Sequence, residues 1–268
     1  MKSDNIAIIG GGNLGSAIAI GAVRAGIVPA NKITITRRQE NKLKGFRKQG
    51  LTATTDNAAA VRNARIVILC VQPKQLAETM AGIRTVLKPG KQILVSTITG
   101  ISTEELSALA PTGLAIVRAM PNTAIAIGAS MTCLCARDAG EKELAETERL
   151  FAALGKTIRI EERLMKAATV LAASGIAFFM RYLRAATQGG IQLGFDAEEA
   201  QLIATQTAQG AASLLLANHS HPEVEIDRVT TPEGCTIAGI NEMEHQGLSS
   251  ALIKGIMASF EKINKIKS

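Results

Sequence analysis

Aromatic side chains are nearly missing from this sequence: its 268 residues hold no Trp, one Tyr and six Phe. So few rings argue against a base-stacking nucleic-acid platform. Histidine is scarcer still, with only His219, His221 and His245. His219-Ser220-His221-Pro222 could touch a metal, but no carboxylate or thiol stands at ligand spacing, and the segment reads as the capped end of a helix. No Ser-His-Asp order with a nucleophile elbow occurs, and no kinase or P-loop signature. Four cysteines in so long a chain do not make a disulfide framework. Cys70 and Cys235 stand alone, and Cys133-Leu134-Cys135 lacks the spacing of a zinc pair. A secretory leader is not legible either, because Met1-Lys2-Ser3-Asp4 runs straight into an apolar segment. Neither long uncharged stretch reads as a membrane span. Residues 167–180 are too few, and 200–220 carry Gln201, Thr205, Gln206, Thr207, Gln209, Asn218 and His219. The expectation is a soluble, reduced, cytoplasmic protein with no metal, nucleic-acid or membrane partner.

Hydrophobic residues make up 47% of the chain, enough for one large or two modest domains and too many for a disordered chain. Lys and Arg number 30 against 23 acids, a formal charge of +7. That excess reads as a solubility feature that also attracts anionic small molecules.

Short apolar runs alternate with helical stretches up to about residue 160. Asn5-Ile6-Ala7-Ile8-Ile9, Lys32-Ile33-Thr34-Ile35-Thr36 and Leu51-Thr52-Ala53 read as strands. So do 65–71, 92–96, 115–118 and 131–135, with helices at 14–25, 39–48, 56–61 and 141–154. Continuous apolar strands separated by helices signal a parallel sheet covered on both faces. The remainder reads as helices only, at 164–188, 196–218, 236–246 and 248–265. The fold class expected is α/β, with a doubly wound, mainly parallel Rossmann domain over 1–160 and an all-α domain over 161–268. Between Glu199 and Glu223 no charged residue occurs. A helix so neutral on every side is buried by neighbours all round, and an interlocked dimer explains this better than a bundle of about 100 residues.

Gly10-Gly11-Gly12-Asn13-Leu14-Gly15 satisfies G-x-G-x-x-G. The pattern alone is weak, but here it follows an apolar strand and opens a helix. Gly10 then permits the tight turn, Gly12 the approach of a pyrophosphate, and Gly15 the packing of helix on strand. An NAD enzyme usually places Asp or Glu at the end of the second strand. This chain has Thr36-Arg37-Arg38 there. Two guanidiniums suit a 2′-phosphate, so NADPH is the expected cofactor, with NADH a weaker one.

Glycine, proline and hydroxyl residues recur where strands end: Cys70-Val71-Gln72-Pro73, Ser96-Thr97-Ile98-Thr99-Gly100 and Arg118-Ala119-Met120-Pro121-Asn122-Thr123. In doubly wound sheets such ends line the ligand crevice. With Leu202-Ile203-Ala204-Thr205-Gln206-Thr207, Gly210-Ala211-Ala212 and, above all, Val229-Thr230-Thr231-Pro232-Glu233-Gly234-Cys235-Thr236-Ile237-Ala238-Gly239, the chain resembles the pyrroline-5-carboxylate reductases over nearly its whole length. The resemblance implies an N-terminal Rossmann domain, a helical domain that dimerises by interlocking, and in many members a ring of dimers. It implies a cyclic imino acid as substrate, reduced to proline.

The same resemblance puts Gly10 to Gly15 on the pyrophosphate, Asn57 near the adenosine, and Cys70, Val71, Gln72 and Pro73 beside the ribose. Thr97, Ile98 and Thr99 fall on the nicotinamide side, and Glu162, Thr231 and Thr236 in the substrate pocket. Four positions depart from the family: Glu233 and Ile176 replace a glycine and a proline, Cys235 replaces a hydroxyl or small residue, and Arg228 replaces an amide. They cluster around the substrate loop.

The chemistry is coherent from the residues upward. Hydride addition to a cyclic imine needs a protonated nitrogen, and the imine is basic enough to need no His or Lys acid. The protein must hold the ring and fix its carboxylate. The N–H groups of Gly234, Cys235 and Thr236 at a helix start suit a carboxylate. Thr236 either bonds the imine nitrogen and relays a proton or merely caps a helix. A non-catalytic NADPH sensor remains the alternative outside enzymes. Within enzymes the alternatives are another imine reductase or a β-hydroxyacid dehydrogenase, which needs a lysine on the long helix after Ser174-Gly175, where Ile176, Ala177, Phe178 and Phe179 stand.

Overall fold

The computed structural model describes residues 4–264. Met1-Lys2-Ser3 and Lys265, the end of the expected last helix, lie outside the described residues. Eight strands form one sheet: β1 (Ile6–Ile9), β2 (Ile33–Thr36), β3 (Thr52–Thr54), β4 (Ile66–Leu69), β5 (Ile93–Ser96), β6 (Ala115–Met120), β7 (Ser130–Arg137) and β8 (Gly155–Arg159). Their order is β3-β2-β1-β4-β5-β6-β7-β8. All neighbours are parallel except β6 and β7. The helices between them are α1 (Asn13–Arg24), α2 (Lys44–Lys48), α3 (Asn57–Val61), α4 (Leu76–Ile83), α5 (Thr103–Leu109) and α6 (Glu141–Ala152).

Pleating explains why the central strands are apolar throughout. Ile6 and Ile8 of β1 join one core with Ile18, Ile33 and Ile68, while Ala7 and Ile9 join another with Val67, Leu69 and Leu94. With helices on both faces, neither side of a strand meets water, so no polar alternation is possible. The register sets Ile6 opposite both Ile33 and Ile66, and Ile66 opposite Ile93. The carboxyl ends of β2, β1, β4 and β5 therefore finish level, which is what positions the site.

Strand β8 was not expected. Its sequence, Gly-Lys-Thr-Ile-Arg, has no buried residue and no apolar run. It is recruited as the outer neighbour of β7, and Gly155 makes that possible: at φ +144 a Cβ would lie 2.0 Å from the Ser130 carbonyl oxygen.

The chain divides into two compact units, one running to Ser174 and resuming from Phe260, the other Gly175–Ser259. The helix expected at 164–188 is three pieces: α7 (Met165–Ala168), a π-helical turn (Thr169–Ser174) and α8 (Gly175–Gln192). Asn122 donates through Nδ2 to the Ala172 carbonyl inside that turn at 3.1 Å. Taken together, 162–192 is by length and composition long and apolar enough to cross a membrane. Reading 167–180 alone as the apolar stretch missed this, because the helix continues through the π turn.

In the second unit, α8 packs on α9 (Ala197–Asn218), where Gly190 meets the buried Ala200. His219, left-handed at φ 51, ends α9. A further helix, α10 (Pro222–Val229), was not expected. Pro222 opens it, and His221 caps it by accepting the Glu223 N–H at Nδ1 (3.3 Å). Helices α11 (Cys235–His245) and α12 (Leu248–Asn264) complete the described chain. The single chain leaves large apolar side chains of α9 open to solvent, with Leu202 70% and Leu216 69% exposed. The uncharged stretch of α9 after Glu199 is thus not wrapped by its own chain.

Candidate functional site

The glycine loop leaves β1 under three distinct constraints. Gly10 is at φ +104, and a Cβ there would lie 2.6 Å from the Cys70 carbonyl oxygen. On Gly15 it would lie 2.2 Å from the Gly10 carbonyl oxygen, so any side chain forces α1 off β1. Gly12 is the opposite case, with no atom within 4 Å of the Cβ position, which is an open face for a ligand. The loop is pinned by Gly11 N donating to Thr36 O (2.7 Å) and Gly10 N to Thr36 Oγ1 (3.4 Å). Gly12 caps α1 without a side-chain bond, and the first turn carries no acid. The N–H groups that begin at Asn13, Leu14 and Gly15 thus form an uncancelled positive pole suited to phosphates.

Thr36 also begins the second constellation. Arg37, Arg38, Gln39 and Lys42 line a cavity of about 330 Å³. The Arg37 stem runs along the glycine loop, its Cγ 3.1 Å from the Cβ position of Gly11. Arg37 N donates to Thr54 O (3.3 Å), which ties the cations to the end of β3. Asn57 opens α3 just beyond, where Asp56 caps the helix through Ala59 N at 3.0 Å.

The next two strand ends lie beside the loop. Cys70 N donates to Ile9 O (2.8 Å), and Thr97 N to Leu69 O (3.0 Å). The Thr97 hydroxyl donates to the same carbonyl at 2.9 Å and lies 3.5 Å from Cys70 Sγ. Burial pushes the Cys70 thiol up to about 12 despite that hydroxyl, so it is no nucleophile at neutral pH. Pro73 opens a 3₁₀ turn in which Gln75 accepts the Gln72 N–H (3.1 Å), leaving Val71 at the crevice edge. Ser96 Oγ accepts the Ile98 N–H (3.2 Å) and shapes the turn that carries Thr97 to Thr99.

Behind this row sits a cluster of which sequence reasoning named only Glu162 as a site residue; its partners Arg118, Cys135 and Thr103 were not assigned to it. Arg118 is 3% exposed, and its Nη1 lies 2.6 Å from Glu162 Oε1. Cys135 donates its thiol to Glu162 Oε2 (2.8 Å), and Thr103 N to Oε1 (3.3 Å). Arg118 Nε and Nη2 are buried without a partner. Burial raises the Glu162 carboxyl, but the Cys135 thiol, the Arg118 charge and the Thr103 N–H outweigh it, and the net shift is downward. Burial first, then the Glu162 carboxylate, pushes Cys135 up to about 12. An arginine in the middle of an apolar strand was the available signal.

In the helical unit, Thr231 to Gly234 form a tight turn in which Gly234 N donates to Thr231 O (3.0 Å). A Cβ on Gly234 would lie 2.5 Å from Thr231 Oγ1. Glu233 sits in the left-handed region at φ 59, a conformation that favours glycine. Gly234, not Thr236, is the cap residue of α11. Cys235 is exposed in its first turn. Among the described residues no hydrogen bond is made by the Thr236 hydroxyl, so it is not spent on capping.

Comparison with known proteins converges on one family. Residues 162–266 match the family description "pyrroline-5-carboxylate reductase dimerisation", and 5–100 match "NADP oxidoreductase coenzyme F420-dependent". Two relatives from Dictyostelium discoideum, pyrroline-5-carboxylate reductases 1 and 2, are each 45% identical over 98% of this chain. The chain spans 50% of the length of the first and 93% of the second. A crystal structure of a Plasmodium falciparum pyrroline carboxylate reductase with NADP bound shares the fold, with a TM-score of 0.91, 20% identity and 100% of both chains covered. On these matches the chain belongs to the pyrroline-5-carboxylate reductase family.

Proposed function

We propose that this chain reduces 1-pyrroline-5-carboxylate to L-proline, the last step of proline biosynthesis, with NADPH as cofactor and NADH serving less well. The observation that carries the reading is the level finish of β2, β1, β4 and β5. It sets an open glycine loop, a cationic cavity and the 70–73 and 97–99 turns along one crevice. In this reading residues 1–160 bind the dinucleotide, and 161–268 supply the dimer contacts and the substrate loop.

In this reading the residues take the roles that the family resemblance and the sequence pattern imply for them. Gly10, Gly11, Gly12, Asn13, Leu14 and Gly15 hold the pyrophosphate, and Arg37 and Arg38 the 2′-phosphate. Asn57 flanks the adenosine. Cys70, Val71, Gln72 and Pro73 border the ribose, and Thr97, Ile98 and Thr99 the nicotinamide. When bound, the dinucleotide supplies the hydride that the imine carbon accepts. The N–H groups of Gly234, Cys235 and Thr236 hold the substrate carboxylate beside Thr231, and Glu162 carries over from the family as a substrate-binding residue. The unspent Thr236 hydroxyl bonds the imine nitrogen and orients it, relaying to it a proton taken up from solvent as its own is passed on. Exposed Leu202 and Leu216 on α9 are covered by a second copy, and dimers assemble further into a ring. A cytoplasmic location fits this chemistry.

The test is NADPH oxidation with 1-pyrroline-5-carboxylate, followed at 340 nm. Steady turnover with proline formed is expected; tight NADPH binding without turnover would support a cofactor sensor instead.

A further inference from the structure

Glu40 is the only carboxylate in the sequence between Asp4 and Asp56. It sits in the same short 3₁₀ turn as Lys42 (Glu40–Lys42). Lys42 lines the cationic cavity with Arg37 and Arg38, and Glu40 does not. The reason is Arg47. Its Nη1 lies 2.6 Å from Glu40 Oε1. The same guanidinium is anchored on the Ala53 carbonyl in the middle of β3, through Nε (3.3 Å) and Nη2 (3.0 Å). Among the described residues Arg37, Arg38 and Lys42 are in no ion pair.

We infer that Lys42 is a third cation for the phosphomonoester at the end of β2, and that Arg47 is a positioning residue that holds the Glu40 carboxylate out of that site. The inference rests on the reading that this cavity takes the 2′-phosphate. Arg47 and Glu40 are both substantially exposed, at 47% and 62% of the side chain, so as a stabilising pair they contribute little. Their consequence is where the negative charge sits. A carboxylate two residues from Lys42 in a tight turn, once released, is within reach of the cavity's cations. It would compete with the phosphomonoester for them, and a site built to prefer a 2′-phosphate cannot keep a resident carboxylate. Arg47 removes the competitor without entering the site, because two of its nitrogens are committed to Ala53.

The experiment measures dissociation constants of NADPH, NADH, adenosine 2′,5′-bisphosphate and AMP by calorimetry on the full chain. The variants are Lys42→Met, Arg47→Met, Glu40→Gln and Arg47→Met/Glu40→Gln, with melting temperature as the folding control. Lys42→Met should weaken NADPH and the bisphosphate about tenfold, the loss of one charge-assisted contact, and leave NADH and AMP unchanged. Arg47→Met should weaken the same two ligands about three- to tenfold. The double variant should regain wild-type affinity, since with Glu40 neutral nothing is left to hold away. Equal weakening of NADPH and NADH by Arg47→Met, or no recovery in the double variant, overturns the positioning role. An unchanged NADPH affinity in Lys42→Met overturns the third cation. If Arg37→Ala/Arg38→Ala also leaves the NADPH-to-NADH ratio unchanged, the 2′-phosphate reading itself has failed and both roles fall with it.

Discussion

Removing the Glu162 carboxylate should destabilise the dinucleotide-binding unit more than removing the arginine it pairs with. Arg118 is 3% exposed and already has Nε and Nη2 without partners. Its charge is compensated through the single 2.6 Å contact to Glu162 Oε1. Glu162→Ala leaves that charge buried and alone. Breaking a buried pair this way costs about 3–5 kcal/mol. Glu162's side chain is 36% exposed, so water reaches the vacated space and the loss is discounted to about 2–4 kcal/mol. That corresponds to a melting temperature lower by on the order of 10 °C. Arg118→Met is milder, at about 1–2 kcal/mol, because Glu162 keeps the Cys135 thiol and the Thr103 N–H and is partly open to solvent. The double variant Arg118→Met/Glu162→Leu should recover part of the loss, as an apolar replacement of a buried pair does. Urea unfolding of wild type, Arg118→Met, Glu162→Leu and the double variant closes the cycle.

The pH dependence has a defined sign. The folded Glu162 carboxyl titrates below its ordinary 4.5, so its stabilisation is fully present above that value and is lost as pH falls through the folded value. The gap in stability between wild type and Glu162→Gln should be constant from pH 8 to 6 and shrink below about pH 4.5. Equal, small losses for Glu162→Ala and Arg118→Met, or a gap indifferent to acid, would refute the reasoning.

Gly15→Ala should melt well below wild type, because its Cβ would fall 2.2 Å from the Gly10 carbonyl oxygen. Gly12→Ala should melt within a degree or two of wild type, with no atom within 4 Å of the added carbon, yet lose NADPH binding in a fluorescence titration. Thr236→Ala should lower kcat by roughly ten- to a thousand-fold with NADPH affinity and melting temperature near wild type, since no hydrogen bond or cap is lost; a stability loss with single-turnover rate intact would contradict the role. Leu216→Glu places a charge on an α9 side chain that is 69% exposed in the single chain. Light scattering should then find a folded monomer, and an unchanged dimer would show that α9 is not the interface.

Local pattern was enough for the architecture. Apolar runs such as Ile6–Ile9 and Ile66–Leu69, too short for helices and closed by turn residues, read as strands buried on both faces, and that points to a parallel sheet with helices on either side. The glycine loop was equally legible, because a tight turn, an open face and a close packing contact each exclude a side chain at a fixed spacing. So were the two arginines at the end of β2, since charge is a property of the residue itself. Everything that depended on a distant partner was not. Strand β8 has no apolar run and exists because β7 offers it an edge, and α10 is a short polar helix held by Pro222 and His221. The π turn at Thr169–Ser174 changes the hydrogen-bond period inside a helix whose side chains read as one unbroken run. Glu162 meets Arg118 across 44 residues of sequence and Cys135 across 27, so neither partner could be read from spacing. Arg47 finds Glu40 only because the fold brings β3 under its guanidinium. Periodicity, turn chemistry and charge are written residue by residue along the chain. Which buried charge is compensated, and which carboxylate is held aside, is settled only when the sheet brings distant segments within 3 Å of one another.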